Sequence, residues 1–205
     1  MGLYDKDIRK ILLDEFIETP EFIKDPSTII VNELDVCSGS AIMDIAVING
    51  KIHGFEIKSE FDTLERLQTQ GKYYNKVFDT VTLVVSDKHI EKAIDLIPEW
   101  WGIYSVVTNQ DSIEVVRNPK LNESINVFSL SLMLWKPELI CLLNEHGITK
   151  GLKSKTRREL SKITTESVNP SDIKSFVKSA LKGRKPWKAR LLQLLHDEKQ
   201  HSLPN

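Results

Sequence analysis

Apolar residues recur at helical spacing near the start of the chain. Ile8, Ile11, Leu12 and Phe16 share one face of "DKDIRKILLDEFIE", which Asp5 or Asp7 can cap. After a polar link containing Pro20 and Pro26 the period changes. "STIIVNELDV" has strand character and "CSGSA" reads as a turn. Ile42–Glu60 reads as a hairpin about Asn49-Gly50, a dipeptide favoured in type I′ turns. Helical spacing returns in "DTLERLQTQGKYYNKVF", through Leu64, Leu67, Tyr74 and Val77, with Asp62 as the expected cap. "TVTLVVS" is a β-branched run suited to a buried strand. "KHIEKAIDLIP" predicts a helix ended near Pro98, and "GIYSVVT" and "SIEVVR" predict paired strands around "NQD".

The order helix, three strands, helix, strand, helix, strand, strand predicts a mixed α/β sandwich with helices over a central sheet. From about Asn122 the strand signal fades. "VFSLSLMLW", "PELICLLNEHG", "SKTRRELSKI", "PSDIKSFVKSALKG" and "PWKARLLQLLHDEK" read as helices separated by Gly or Pro. The expected division is an α/β core over residues 1–118 and a helical, basic region over 122–205.

Composition sets the class: 40% hydrophobic and 28% charged residues over 205 positions leave enough apolar material for a core. No apolar run reaches the length of a membrane helix and no signal-peptide stretch opens the chain, so a cytoplasmic protein away from membranes is expected. Cys37 and Cys141 lie far apart, which argues against a zinc site and a disulfide framework. The net charge of −1 conceals a polarity: residues 150–205 hold 14 Lys and Arg against 5 Asp and Glu, while residues 1–149 are acidic. A basic tail of this kind either meets a polyanion or offsets the acidic half.

Charges inside the hairpin are the sharper signal. Asp44 interrupts one apolar run, and Glu56 and Lys58 interrupt the other, although charges are depleted in strands. The hairpin brings Asp44 toward the Glu56–Lys58 end, and alternation puts Glu56 and Lys58 on one side of their strand. Two converging carboxylates suit a hard divalent cation such as Mg²⁺, and a neighbouring lysine can orient water and offset charge on a phosphate. The plainer alternative is a solvated strand face on which Glu56 salt-bridges Lys58.

Asp44, eleven residues, then Glu56-Ile57-Lys58 resembles the D…E-x-K core of the PD-(D/E)XK nuclease superfamily, which carries it on such a hairpin. The flanking elements resemble its restriction-endonuclease-like αβββαβ core with a mixed central sheet, over about residues 5–86. More narrowly, "NELDVCSGSAIMDIAVINGKIHGFEIKSEFDTLERL", "VFDTVTLVV" and "PEWWGIYSV" look like a family of small bacterial and phage-borne proteins of unassigned role within that superfamily. Met43 stands where Pro often precedes the Asp. The resemblance implies that Asp44, Glu56 and the main-chain carbonyl of Ile57 hold Mg²⁺ or Mn²⁺, with Lys58 positioning the attacking water. It also implies a further acid, for which Glu33 matches the narrower family better than Glu15. Gln70 and Tyr74 repeat a Q-x-x-x-Y spacing of exonuclease-type relatives. Residues four apart share a helix face, so both can point at the site as candidate substrate contacts. The alternative is a core tyrosine beside a surface glutamine.

Arg66, one turn before Gln70, is a candidate phosphate contact, as are Lys155, Arg157, Arg158, Arg184 and Lys185 in the basic region. Trp100 and Trp101 are expected in the core, and the scattered histidines do not have metal-ligand spacing. The expected function is a metal-dependent nuclease acting on nucleic acid, with DNA favoured over RNA and a homodimer left open. The alternatives are a nucleic-acid-binding accessory protein that does not cut, and a self-associating interaction protein.

Overall fold

The computed structural model describes residues 3–18, 25, 27–107 and 112–184. Helix α1 (Asp5–Glu18) leads into β1 (Ile29–Val36), β2 (Ala41–Ile48) and β3 (Ile52–Lys58). Then come α2 (Leu67–Tyr74), β4 (Thr80–Ser86), a 3₁₀ turn (Asp87–His89), α3 (Ile90–Leu96), β5 (Gly102–Val107) and β6 (Ser112–Arg117). Among the described residues four helices follow: α4 (Val127–Ser131), α5 (Lys136–Glu145), α6 (Arg157–Ser167) and α7 (Pro170–Gly183). The result is an α/β protein with one six-stranded mixed sheet and C-terminal helices.

The strands lie side by side in chain order. Tight connections make β1–β2 and β2–β3 antiparallel and β5–β6 also pair antiparallel, whereas the helical crossovers through α2 and α3 make β3–β4 and β4–β5 parallel. Both faces of the sheet are covered. The apolar stripe of α1 (Ile8, Ile11, Leu12 and Phe16) packs on Ile45, Val47, Phe55, Ile57, Val84 and Val106. The opposite face carries Ala46, Ile48, Ile52, Val81 and Leu83 against α2 and the C-terminal helices. Double coverage explains why every residue of β3 and β4 is buried.

Leu139, Leu160, Ile173, Val177 and Leu181 belong to the same apolar cluster as the sheet, so the core runs without a break from the strands into the C-terminal helices. Local signals set those helices. The Asn126 side chain accepts from the Ser129 N–H at 2.8 Å at the start of α4. Thr156 and Glu159 form a reciprocal capping box on α6, and Pro170 occupies the first turn of α7. Asn122 Nδ2 ties the connecting segment to the carbonyls of Asn75 and Phe78. Trp101 is wholly buried and Trp100 packs at the edge of the same cluster, as expected of core residues.

Two local expectations need correction. Neither Asn49 nor Gly50 adopts the positive φ that a type I′ turn requires. Ile48 pairs with Ile52, and Asn49–Lys51 close the hairpin as three residues, with Asn49 Oδ1 accepting from the Lys51 N–H at 2.9 Å. Asp62 does not cap α2, which begins at Leu67. Its carboxylate instead takes the N–H and hydroxyl of Ser59 and folds the end of β3 into a turn. Among the described residues no helix is long and apolar enough to cross a membrane.

Candidate active site

The site begins at an irregularity shared by β1 and β2. On β1 the residues in the main cluster are Ile29 and Val31, then Leu34 and Val36; on β2 they are Ala41 and Met43, then Ala46 and Ile48. Both sets change parity across Glu33 and Asp44. The register is otherwise continuous, yet the rung joining Glu33 to Asp44 is missing from the ladder, and Glu33 has a left-handed φ of 55°. At this break the Asp44 side chain turns to the pairing edge of β3.

On its other side β2 pairs with β3 so that Ile45 faces Phe55, and the same register sets Asp44 beside Glu56. Asp44 Oδ2 accepts the Ile57 N–H at 2.8 Å, a side chain taking the place of a ladder bond. From α1, Arg9 donates to the Asp44 main-chain oxygen at 2.8 Å and approaches Oδ1 at 3.4 Å, while also pairing with Asp5. Burial, and then the charge of Glu56, push the Asp44 carboxyl up to about 6 against the opposing pull of the Ile57 N–H, Arg9 and Lys58.

Glu56 is 1% exposed and Lys58 7% exposed. Lys58 Nζ donates to Glu56 Oε1 at 2.7 Å, so the predicted same-strand pair exists, but in the interior rather than on a wet face. Tyr74, from α2, places its hydroxyl 2.8 Å from Glu56 Oε2 and 2.5 Å from the Ile42 carbonyl oxygen. With a single proton it donates to one of them at a time. Burial first, and then Glu56, push that hydroxyl well above the ordinary tyrosine range, so it stays a neutral donor. Gln70 Nε2 donates to the Tyr74 hydroxyl at 3.2 Å, which makes the two residues of the Q-x-x-x-Y spacing one unit. Tyr74 itself is wholly buried, so it holds Glu56 and is no substrate contact, and of the pair only Gln70 borders the groove.

These groups open onto a groove of about 730 Å³ lined by Asp44, Glu56, Ile57, Lys58, Glu33, Arg66 and Gln70 among others. Ile57 borders it although its side chain packs in the α1 layer. Glu15 is elsewhere: it lines a separate cavity of about 280 Å³ with His53, Phe55 and Thr80, toward the other end of β3. Asp5 lines the groove and is the carboxylate that α1 actually brings there. Asp5 and Arg9 escaped the sequence reading because an i,i+4 pair on an amphipathic helix looks like an ordinary surface ion pair.

The donor set fits a hard divalent cation: the enclosed Glu56 and the partly buried Asp44, whose charges oppose each other, with the exposed Glu33 on the same groove. Among the described residues, no three Asp, Glu, His or Cys side chains converge on one point.

The basic candidates are scattered. Arg157 Nη2 donates to Ser38 Oγ at 2.6 Å, next to Gly39 and Ser40 of the groove lining, so it stands at the rim. Arg158 lies over the Phe128 ring at 5.4 Å, and Lys155 leads into the cap of α6. Arg184 corrects its expected role as a substrate contact. It is 7% exposed, bonded to Glu138 through Nε at 2.9 Å and Nη2 at 2.7 Å, and also donates to the Met133 carbonyl. The cation-rich sequence that suggested a phosphate contact here encodes a buried clamp between α5 and α7. Lys185 and the final predicted helix, "PWKARLLQLLHDEK", lie outside the described residues.

Residues 3–205 match the family described as bacteriophage P4 protein cII. The chain belongs to that family. Protein cII of Enterobacteria phage P4 is 29% identical to it over 177 residues, which is 85% of this chain and 66% of the phage protein. This cII-family chain therefore spans just under two thirds of that relative's length. Among solved structures, a protein of unknown function from Silicibacter pomeroyi is similar at a TM-score of 0.41 and 17% identity, over 87% of this chain and 86% of that one. A likeness of that order carries no argument. The phage connection that the sequence suggested thus holds at the level of the family, and these descriptions name no activity for the cII group.

Proposed function

We propose that this cII-family chain is a divalent-cation-dependent nuclease that hydrolyses phosphodiester bonds in nucleic acid, DNA foremost, on a restriction-endonuclease-like core. The observation that carries the reading is the convergence of Asp44, Glu56 and Lys58, from adjacent strands, on one groove. The order α1-β1-β2-β3-α2-β4 supports it, since that is the αβββαβ arrangement the superfamily uses.

In this reading Asp44, Glu56 and the Ile57 carbonyl hold Mg²⁺ or Mn²⁺, while Glu33 lines the same groove without converging on them as a third carboxylate. Such an ion supplies Lewis-acid stabilisation of charge on a phosphate oxygen. Lys58 Nζ, a donor without acceptor capacity, orients a water oxygen and offsets charge gathering on the phosphate. Tyr74 fixes the Glu56 carboxylate, and Arg9 fixes Asp44. Arg66, Gln70 and Arg157 face the phosphates along the groove and its rim, and Lys155 and Arg158 add diffuse attraction.

One observation favours a second reading. Both oxygens of Glu56 already have protein partners, Lys58 on one and Tyr74 on the other, an arrangement that suits an accessory protein which binds nucleic acid without cutting it. The two part in one experiment. Linear duplex, single-stranded, branched and RNA substrates are incubated with Mg²⁺ or Mn²⁺, alongside EDTA controls and folded Asp44→Asn and Lys58→Ala proteins. Cleavage abolished by EDTA and by both substitutions is expected. Salt-sensitive binding with no cleavage of any substrate would replace the nuclease with the accessory protein, and absence of both would remove nucleic acid as the partner.

A further inference from the structure

Two large aromatic rings stand in solvent beside the groove. Tyr4 is 57% exposed and Phe61 58% exposed, although chains usually bury such rings. They are stacked on each other, with centroids 4.6 Å apart and planes 22° from parallel. Their chain neighbours Asp5 and Asp62 both line the groove. Each ring sits on an anchored backbone: the Tyr4 N–H donates to Asp7 Oδ2 at 3.0 Å, its carbonyl accepts from the first turn of α1, and the Phe61 N–H donates to Ser59 Oγ. Lys88, just beyond β4, holds its ammonium 6.0 Å from the Phe61 centroid. Exposed Ile42 adds an apolar surface to the groove lining.

We infer that the Tyr4–Phe61 stack is a landing platform for an unpaired nucleobase, so that the groove takes single-stranded nucleic acid. The inference rests on the reading of the groove as a nucleic-acid site and narrows its substrate class. Phe61 stacks on the Tyr4 ring, and both rings stay more than half exposed. A flat, pre-oriented ring with a cation beside it and a phosphate site next to it is what an unstacked base recognises. A duplex keeps its bases stacked on one another and presents sugar and phosphate instead. The stack is therefore idle on a duplex and useful on a single strand.

The test uses the full chain in EDTA, so that binding is read without any cleavage. A short single-stranded oligonucleotide carries a fluorescent aminopurine, and the same strand is also presented as a blunt duplex. Quenching of the aminopurine on binding is expected for the single strand and not for the duplex. Tyr4→Ala and Phe61→Ala each weaken single-strand binding at least about fivefold, in line with the loss of one base–aromatic contact, whereas Tyr4→Phe leaves it unchanged. Both positions are more than half exposed, so a matched thermal melt checks that the fold is intact. Unchanged affinity in Tyr4→Ala overturns the platform. So does equal preference for the duplex, and so does loss of an oligomer in Tyr4→Ala without loss of nucleic-acid binding, which would make the stack a contact between copies. Platform binding without cleavage in Mg²⁺ would sink the nuclease reading alone.

Discussion

The Arg9 guanidinium, on α1, meets Asp44 of β2 at two atoms: Nη1 donates to its main-chain oxygen at 2.8 Å and Nη2 lies 3.4 Å from Oδ1. Thirty-five positions separate the two residues in the chain. One contact secures the backbone where the ladder skips a rung, and the other partly offsets a carboxylate crowded by Glu56.

The position of the Asp44 carboxyl, raised from 3.8 to about 6, fixes a pH dependence. Folding favours its protonated form, so this stabilising contribution is complete below about 4 and is lost as pH rises through about 6. Its full size is on the order of 3 kcal/mol. Urea titrations across that window are expected to show metal-free protein losing stability with rising pH, a slope absent in Asp44→Asn. Arg9→Leu moves the midpoint upward, because Arg9 holds the carboxyl down. If the groove binds Mg²⁺ as proposed, the added ion opposes the slope, since it takes the deprotonated form.

Lys58→Ala leaves Glu56 enclosed without its cation. Removing one partner of a buried pair costs about 3–5 kcal/mol. Chemical denaturation is expected to show a loss of that order, and Glu56→Gln in the same chain recovers part of it by removing the stranded charge. An equal loss in the single and double variants would mean that Lys58 stabilises by packing alone.

Tyr74→Phe keeps the ring, which packs beside Phe78 and Trp101, and deletes the hydroxyl shared by Glu56 and the Ile42 carbonyl. Leaving buried acceptors unmet costs about 1–3 kcal/mol. The expected result is a lower denaturation midpoint with an unchanged denaturant slope. Under the proposed metal-dependent reading, stabilisation by Mg²⁺ weakens as well, because Glu56 is no longer held in place.

Arg184→Ala breaks the clamp on Glu138 and Met133 and uncovers Trp135, over which the guanidinium lies at 4.1 Å. A drop of about 3–5 kcal/mol is expected from a buried pair cut on one side. Arg184→Lys does not restore it, because an ammonium cannot reproduce the fork. Nucleic-acid affinity measured well below the melting transition stays within about twofold, since this side chain faces the interior rather than the groove.

Much of the architecture was legible because it follows local periodicity. The stripe of Ile8, Ile11, Leu12 and Phe16 fixed α1, and "TVTLVVS" announced a strand covered on both faces. The juxtaposition of Asp44 with Glu56 followed from alternation and a short connection, even though the turn type was misjudged. What stayed hidden depends on contacts distant in the chain. Asp62 has the chemistry of a helix cap, but Ser59 offered it two donors first. Arg184 sits in a run of cations that composition alone assigns to solvent, while the acid it meets is 46 positions away. Arg9 carries no mark of its partner, since only the packing of α1 on the sheet brings it to Asp44.

The rung that β1 and β2 leave out has a consequence for how this protein can vary. Each strand keeps its own alternation on either side of Glu33 and Asp44, and those two positions belong to neither run. Both stay on the groove: Asp44 is tied there by the Ile57 N–H and Arg9, whereas the exposed Glu33 can change without repacking the core.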